Sequence, residues 1–322
     1  MQEGLIPHLN VAEVAGLVRK LLANIRAVFI GKDEAATAAV LSLMADGHIL
    51  LEDVPGVGKT LLAKAVAKSI DGVFKRIQFT ADLLPSDITG VTVFHQTTSE
   101  FRFMRGPLFA NVLLADEINR ATPRTQSSLL EAMEEKQATV DGTAHPLDRP
   151  FLVIATQNPI EIEGTYPLPV SQMDRFMTRL AIGYLDKNME MRMLKEQKDV
   201  RPIDALSPVI DTAAVLSIQK TVRAVGVSDE IRWYVTEIVS RTRQSDALAY
   251  GASPRATLDL MRFSQARALL DGRDYVLPDD VKRSAPVTLG HRVIPKKRDI
   301  LGLPSEGLAV VTDIVNSVDV PI

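Results

Sequence analysis

The chain has 322 residues, of which 46% are hydrophobic and 24% charged, values typical of a globular protein with about two domains. Lys and Arg number 37 against 40 Asp and Glu, giving a formal net charge of -3. This balance argues against a protein that binds nucleic acid non-specifically. The absence of cysteine from the sequence excludes disulfides, thiolate metal ligands and cysteine nucleophiles.

The sequence predicts a cytoplasmic protein. Its first residues lack the basic start and apolar run of a secretory signal, and no stretch reaches the roughly 18 apolar residues of a membrane span. The run Pro-Lys-Lys-Arg at 295–298 could be a localisation signal, but a solvated basic cluster is the simpler interpretation.

The first part of the chain alternates helical and strand patterns. Apolar residues at helical spacing predict helices from residue 10 to about residue 46, after residue 60, and over 124–136. Short apolar runs predict strands at 48–54, 74–79, 111–117 and 151–158. Buried strands separated by helices are typical of an α/β fold, with a parallel sheet covered by helices on both faces.

The composition changes after Leu185, where a charged segment rich in helix-forming residues begins. We place a domain boundary here, with a core and its N-terminal helices over 1–186 and a smaller domain over 187–322. Helical patterns predict that this second domain is all-helical; they cover 211–224, 228–244, 254–271 and 278–285.

A candidate phosphate-binding loop lies between the first predicted strand and the following helix. It consists of Pro55, Gly56, Val57, Gly58, Lys59, Thr60 and Leu61. Glycines allow the backbone N–H groups to wrap a phosphate, a lysine neutralises the β- and γ-phosphates, and a threonine hydroxyl can bind Mg²⁺. Asp53 occupies the position five before Gly58 where the standard motif has glycine, so a carboxylate is expected near the polyphosphate. The alternative is an ordinary glycine-rich turn.

Two acids follow the apolar strand at 111–117. An aspartate at the carboxyl end of a parallel strand is positioned for ligand chemistry. Asp116 is therefore a candidate for holding Mg²⁺ through water, and Glu117 for orienting the attacking water. Adjacent acids in a charged loop are the alternative interpretation.

Asn158 ends the apolar strand at 151–158. A neutral amide there could hydrogen-bond both the attacking water and the γ-phosphate, whereas Asn-Pro by itself indicates only a turn.

In this order the loop, the acid pair and Asn158 resemble an AAA+ ATPase. The stretch LLADEINRA at 113–121, the stretch EGTYPLP at 163–169, and Asp-Arg-Phe at 174–176 are similar to the MoxR family, and the likeness covers nearly the whole chain. Thr122 departs from the family where a second proline is often seen. The resemblance implies an AAA+ P-loop NTPase core followed by a helical lid, with ATP and Mg²⁺ as ligands.

Two arginines acquire roles through this resemblance. Arg175 matches the arginine finger that such rings insert into the neighbouring subunit's nucleotide, and Arg255 matches the second sensor, which also contacts nucleotide. A guanidinium suits phosphate oxygens. The alternatives are a surface salt bridge for Arg175 and, for Arg255, a position explained by Pro254 opening a helix.

The resemblance also assigns the remaining site residues. Lys59 and Thr60 match the Walker A residues, Asp116 and Glu117 the Walker B pair, and Asn158 the first sensor. The residues that pack near the adenine in the family are matched by Val28, Ile30 and Gly31.

Two segments, 90–106 and 136–150, show the alternation and turn residues of hairpins. In the resembled clade such hairpins project towards the pore of a ring, where they could contact a client. Simple extensions of the sheet are the alternative.

The leading hypothesis is therefore an ATP-hydrolysing ring, a homo-oligomer and most simply a hexamer, that remodels or activates partner proteins. The resemblance implies a partner with a von Willebrand factor A domain. The alternative is a nucleic-acid motor or clamp-loader-like ATPase, which the slight acidity and 5% aromatic content disfavour. A non-hydrolysing nucleotide switch is a third reading, and it could dispense with both Glu117 and Arg175.

Overall fold

The computed structural model describes residues 9–159, 164–196, 201–296 and 305–321. The helices are α1 (Val11–Val28), α2 (Asp33–Met44), α3 (Lys59–Ser69), α4 (Pro85–Thr89), α5 (Pro123–Glu135), α6 (Val170–Met173), α7 (Lys187–Glu196), α8 (Thr212–Ala224), α9 (Asp229–Gln244), α10 (Pro254–Leu270), α11 (Pro278–Leu289) and α12 (Ser305–Ser317). The strands are β1 (Ile49–Glu52), β2 (Phe74–Gln78), β3 (Gly90–His95), β4 (Glu100–Arg105), β5 (Val112–Asp116), β6 (Gln137–Val140), β7 (Thr143–Pro146), β8 (Leu152–Gln157), β9 (Thr178–Leu180), β10 (Leu248–Tyr250) and β11 (Ile294–Pro295). Within the described ranges, no helix combines the length and apolar character needed to cross a membrane.

A five-stranded sheet with the order β2-β5-β8-β1-β9 forms the centre of the molecule. Every neighbouring pair in it is parallel. The four predicted strands are present, and β9 adds a fifth. The apolar pattern did not indicate β9, because it has three residues and one of them is Arg179.

Helices cover both faces of this sheet, which confirms the predicted α/β fold. One face packs against α1, α2 and α3, and the same continuous core extends into α8, α9, α10 and α11. The other face packs against α5. Helix α1 begins at a capping box in which the Asn10 side chain accepts from the Glu13 backbone and the Glu13 carboxylate accepts from the Asn10 backbone.

The carboxyl-terminal part forms the helical lid that the AAA+ resemblance implied. It contains α8 to α12, and it also holds a two-stranded antiparallel sheet of β10 and β11 that the helical patterns did not indicate. Helix α11 runs past its predicted end at residue 285 and through Pro286. Lys297 and Arg298 of the basic run lie outside the described residues, as does Glu163. The division at residue 186 stays a prediction; β9 ends at Leu180 and α7 begins at Lys187.

Two antiparallel hairpins project from the core where alternation predicted them. Strands β3 and β4 pair from Gly90 with Arg105 to His95 with Glu100, and β6 pairs with β7. The first hairpin exposes several large apolar side chains, which are Val91, Val93, Phe94, Phe101 and Met104.

Candidate nucleotide site

The loop between β1 and α3 has the conformation that its glycines permit. Gly56 has φ +86° and Gly58 has φ +100°, both in the left-handed region. A Cβ on Gly56 would meet no atom within 4 Å, whereas one on Gly58 would lie 3.2 Å from the Phe29 ring. Helix α3 starts at Lys59, so its first N–H groups have no partner within the helix and lie beside this loop. The loop thus has the backbone of a phosphate cradle.

Asp53 does not occupy the cradle in the way the sequence suggested. Its carboxylate accepts hydrogen bonds from the backbone N–H of Ile182 (2.6 Å), of Gly183 (2.5 Å) and of its own neighbour Val54 (2.8 Å). Asp53 is 8% exposed and lies outside the left-handed region, so this position does not need glycine. The carboxylate therefore ties the loop to the residues after β9 and is directed at backbone N–H groups.

Lys59 lies inside this arrangement, and its ammonium donates to the Asp53 carbonyl at 2.5 Å. Next to it, burial raises the pKa of Glu52, while the nearby Arg179 and Lys59 oppose that rise. The Glu52 carboxylate pairs with Arg179 of β9 at 3.4 Å. The Asp53 carbonyl thus holds the lysine at the loop, and the Glu52 carboxylate lies close enough to interact with it electrostatically.

A cavity of about 470 Å³ adjoins the loop. Val28 and Ile30 line it together with all the predicted loop residues except Lys59. Gly31 lies beside Met189: a Cβ added to Gly31 would be 2.9 Å from the Met189 Cγ. Residues that sequence reasoning missed complete the wall; they are Phe29, Lys32, Lys64, Gly183, Tyr184, Leu185, Glu190, Met193, Arg201, Pro202 and Ile203. Lys32 fixes one side of the cavity by donating to the Tyr184 carbonyl at 2.5 Å. Apolar walls and a polyphosphate cradle together suit a nucleotide.

Asp116 ends β5 next to the cradle. The Thr156 hydroxyl donates to one of its carboxylate oxygens at 2.6 Å, and Arg76 of β2 pairs with the other at 2.6 Å. Since β1 and β5 both flank β8, the carboxyl ends of all three strands lie at one edge of the sheet. A carboxylate here and the Thr60 hydroxyl at the start of α3 are hard oxygen ligands of the kind Mg²⁺ prefers, so the residues present fit that ion.

Glu117 adopts a left-handed conformation with φ +55° directly after β5. Its backbone N–H donates to the Thr156 hydroxyl at 2.8 Å, while Gln78 and Arg120 donate to its carboxylate at 2.8 and 3.0 Å. The structure therefore orients Glu117 through β2 and the short turn that follows it. Sequence reasoning missed Arg76 and Gln78, although their i, i+2 spacing in β2 places both on the face shared with Asp116.

Asn158 lies at the same edge, immediately after β8, and is 6% exposed. The backbone N–H of Asp53 donates to the Gln157 carbonyl at 3.2 Å, which puts the start of the loop beside the end of β8. The structure thus brings the loop, the acid pair and Asn158 to the same end of the parallel strands.

Arg175 and Arg255 lie at the opposite edge of the sheet, which is the amino-terminal end of its parallel strands. Arg175 precedes β9, and the Met177 N–H donates to the His48 carbonyl just before β1 begins. The four residues of β1 span about 13 Å, so this edge is separated from the loop by at least that distance. Arg255, in the first turn of α10, pairs with Glu134 at 2.9 Å, and Arg175 pairs with the same carboxylate at 3.2 Å. Neither arginine reaches the cradle of its own chain.

Comparison with known proteins identifies the family. Residues 48–178 match the ATPase family associated with various cellular activities (AAA), and residues 240–305 match the AAA lid domain. The chain is 40% identical to the chaperone MoxR1 of Mycobacterium tuberculosis over 292 residues, which cover 88% of this chain and 77% of that protein. The chain belongs to the MoxR family of AAA+ ATPases.

Other relatives agree with this MoxR assignment. The chain is 48% identical to the uncharacterized protein YeaC of Bacillus subtilis over 95% of each chain, and 29% identical to the protein MoxR of Methylorubrum extorquens over 82% of this chain and 83% of that protein. The crystal structure of a candidate ATPase from Cytophaga hutchinsonii superposes with a TM-score of 0.86 at 37% identity, covering 96% of each chain. The AAA+ core and lid of this chain are therefore those of a known ATPase architecture.

Proposed function

We propose that this MoxR-family chain hydrolyses ATP to ADP and phosphate at the seam between two subunits of a ring, most simply a ring of six. The observation that carries the proposal is the separation of its parts. Lys59, Asp116 and Glu117 lie at the carboxyl edge of the sheet, whereas Arg175 and Arg255 lie at the amino edge. A subunit that holds the triphosphate at one edge receives its arginines from a neighbour.

The residues of the cradle divide the work at the triphosphate. Lys59 and the N–H groups of the loop bind the β- and γ-phosphates, and Asn158 donates its amide at the strand end. Glu117 orients the attacking water and accepts its proton. When bound to Thr60 and Asp116, Mg²⁺ neutralises charge on the phosphate oxygens.

The cavity next to the loop holds the base and ribose. Val28, Ile30, Tyr184 and Leu185 line it, and Gly31 flanks it next to Leu185. Because Asp53 ties residues 182 and 183 to the loop, the base and the phosphates are bound by one connected piece of chain. A bound nucleotide therefore contacts the segment that leads into the lid.

The client side of the proposal rests on the first hairpin and on the family resemblance. Phe101 is 74% exposed and Phe94 is 48% exposed, and their ring centroids are 5.1 Å apart at the hairpin. An exposed aromatic pair is suited to contact another protein. We propose that the ring remodels or activates a partner, and the resemblance suggests one with a von Willebrand factor A domain.

Mixed assemblies test the seam directly. Glu117→Gln should bind ATP without turning it over, and Arg175→Ala should be inactive by itself. A mixture of the two should recover part of the ATPase rate, because the Arg175→Ala subunit has an intact cradle and receives Arg175 from its Glu117→Gln neighbour. Size-exclusion chromatography with ATP provides the matched check that both variants assemble.

Two results would contradict this proposal. Undiminished hydrolysis by Glu117→Gln would remove that residue from the mechanism, and mixtures that stay inactive despite co-assembly would remove Arg175 from the neighbour's site. Tight binding of single- or double-stranded DNA in a gel shift at near-physiological salt would instead favour a nucleic-acid motor.

A further inference from the structure

One carboxylate at the amino edge of the sheet is shared by both arginines. Glu134, near the end of α5, accepts a hydrogen bond from Arg255 Nη1 at 2.9 Å through Oε1. Its other oxygen, Oε2, lies 3.2 Å from Arg175 Nε. Arg175 belongs to the core and Arg255 belongs to the first turn of the lid helix α10, so Glu134 connects the two parts of the chain at this point.

The backbone segments that carry the two arginines are fixed to each other by separate contacts. The Ser253 hydroxyl donates to the Asp174 carboxylate at 2.9 and 3.0 Å, and Ser253 also caps α10. Arg292, 2% exposed, donates to the carbonyl oxygens of Asp174 at 3.1 Å and Phe176 at 2.7 Å. The Cα positions of Arg175 and Arg255 are therefore set without Glu134, and what Glu134 adds is the placement of the two guanidinium groups.

Two guanidinium groups placed side by side repel each other, and each has a long, flexible stem. A carboxylate between them offsets the repulsion and restricts both stems. The side chains of Glu134, Arg255 and Arg175 are 41%, 37% and 32% exposed, and ion pairs at this exposure contribute at most about 1 kcal/mol to folding. Stability is thus a poor explanation for Glu134, whereas the placement of reacting cations can change a rate by about 100-fold.

We propose that Glu134 is a positioning residue that holds Arg175 and Arg255 of one subunit together, so that both reach the triphosphate bound by the neighbouring subunit. The inference rests on the proposed function, because it requires that the two arginines act across the seam. Glu134 touches no nucleotide itself, and it acts on a site that its own subunit does not contain.

Glu134→Gln tests the proposal, with Glu135→Gln as the matched control because Glu135 is the next residue of α5 and is exposed. We expect kcat of the assembled Glu134→Gln protein to fall by about 10- to 100-fold. The KM for ATP and the affinity for a fluorescent ATP analogue should stay within about twofold, because the subunit's own cradle is intact. The thermal midpoint should stay close to that of the unchanged protein, since the ion pairs are partly exposed. Glu135→Gln should retain the unchanged rate.

Mixing gives the second readout, which a merely structural role would not produce. Glu134→Gln subunits mixed with Glu117→Gln subunits should recover ATPase activity, because each Glu134→Gln cradle can then receive well-placed arginines. If mixtures of Arg175→Ala with Glu117→Gln recover activity but Glu134→Gln alone has a normal rate, this inference is overturned and the proposed function stands. A loss of nucleotide affinity equal to the loss of rate would also overturn it. No recovery for either mixture would overturn both.

Discussion

Asp53 offers a sharp test of how the phosphate loop is held, because the standard motif has glycine at its position. Its carboxylate is 8% exposed and accepts from the backbone N–H of Ile182 and Gly183 at 2.6 and 2.5 Å. Asp53→Ala removes this acceptor from three backbone donors, those of Ile182, Gly183 and Val54, of which Ile182 is buried. An unsatisfied buried donor costs about 1–3 kcal/mol, so we expect a loss of about 2 kcal/mol.

For a chain of 322 residues, about 2 kcal/mol corresponds to a fall of roughly 3 °C in the midpoint of thermal unfolding. Differential scanning calorimetry of Asp53→Ala and of the unchanged protein measures this fall. Asp246→Asn is the control, since Asp246 is fully exposed and should leave the midpoint unchanged. Asp53→Ala should also weaken ATP binding, because residues 183 to 185 form a wall of the cavity.

A midpoint within 1 °C of the unchanged protein, together with normal ATP affinity, would refute this reasoning. It would mean that the contacts of Asp53 do not hold the loop against the segment after β9. Asp53→Gly gives a second reading of the same position. It restores the standard motif yet lacks the acceptor, so we expect it to be destabilised as Asp53→Ala is.

Two further predictions concern His48 and Arg76. Burial lowers the pKa of His48 from 6.5 to about 4. Between these two pH values His48 is protonated in the unfolded chain and neutral in the folded chain, so the free energy of unfolding falls as the pH drops. At pH 5 this loss is about 2 kcal/mol. His48→Gln should therefore lose less stability between pH 7.5 and pH 5 than the exposed control His95→Gln does. Equal losses would contradict the lowered pKa of His48. Arg76→Gln should lower the Mg²⁺ concentration that half-saturates the ATPase by up to about fivefold, because Mg²⁺ no longer competes with a partly exposed ion pair at Asp116. An unchanged or higher Mg²⁺ requirement in that titration would show that Arg76 does not compete for Asp116.

The parts of the site that the sequence predicted are those set by local pattern. Gly56 and Gly58 fall between an apolar run and a helical run, and Asp116 and Asn158 end apolar runs. Because parallel strands place their carboxyl ends at one edge, the placement of these residues follows from the strand pattern and does not require knowledge of contacts between distant segments.

The parts that the sequence could not predict depend on contacts between distant segments. The direction of the Asp53 carboxylate is set by Ile182 and Gly183, more than a hundred residues later. The position of Arg255 is set by the packing of the lid, where Ser253 and Arg292 hold the loop before β9. No spacing along the chain reveals that Arg175 and Arg255 share one carboxylate.

The most direct measurement is a structure of the assembled Glu117→Gln protein with ATP and Mg²⁺. The account predicts that a triphosphate lies against Lys59 and the loop of one subunit, with Arg175 and Arg255 of the adjoining subunit turned towards its terminal phosphate. An assembly whose loops hold no nucleotide, or whose two arginines face solvent at every filled loop, would contradict it.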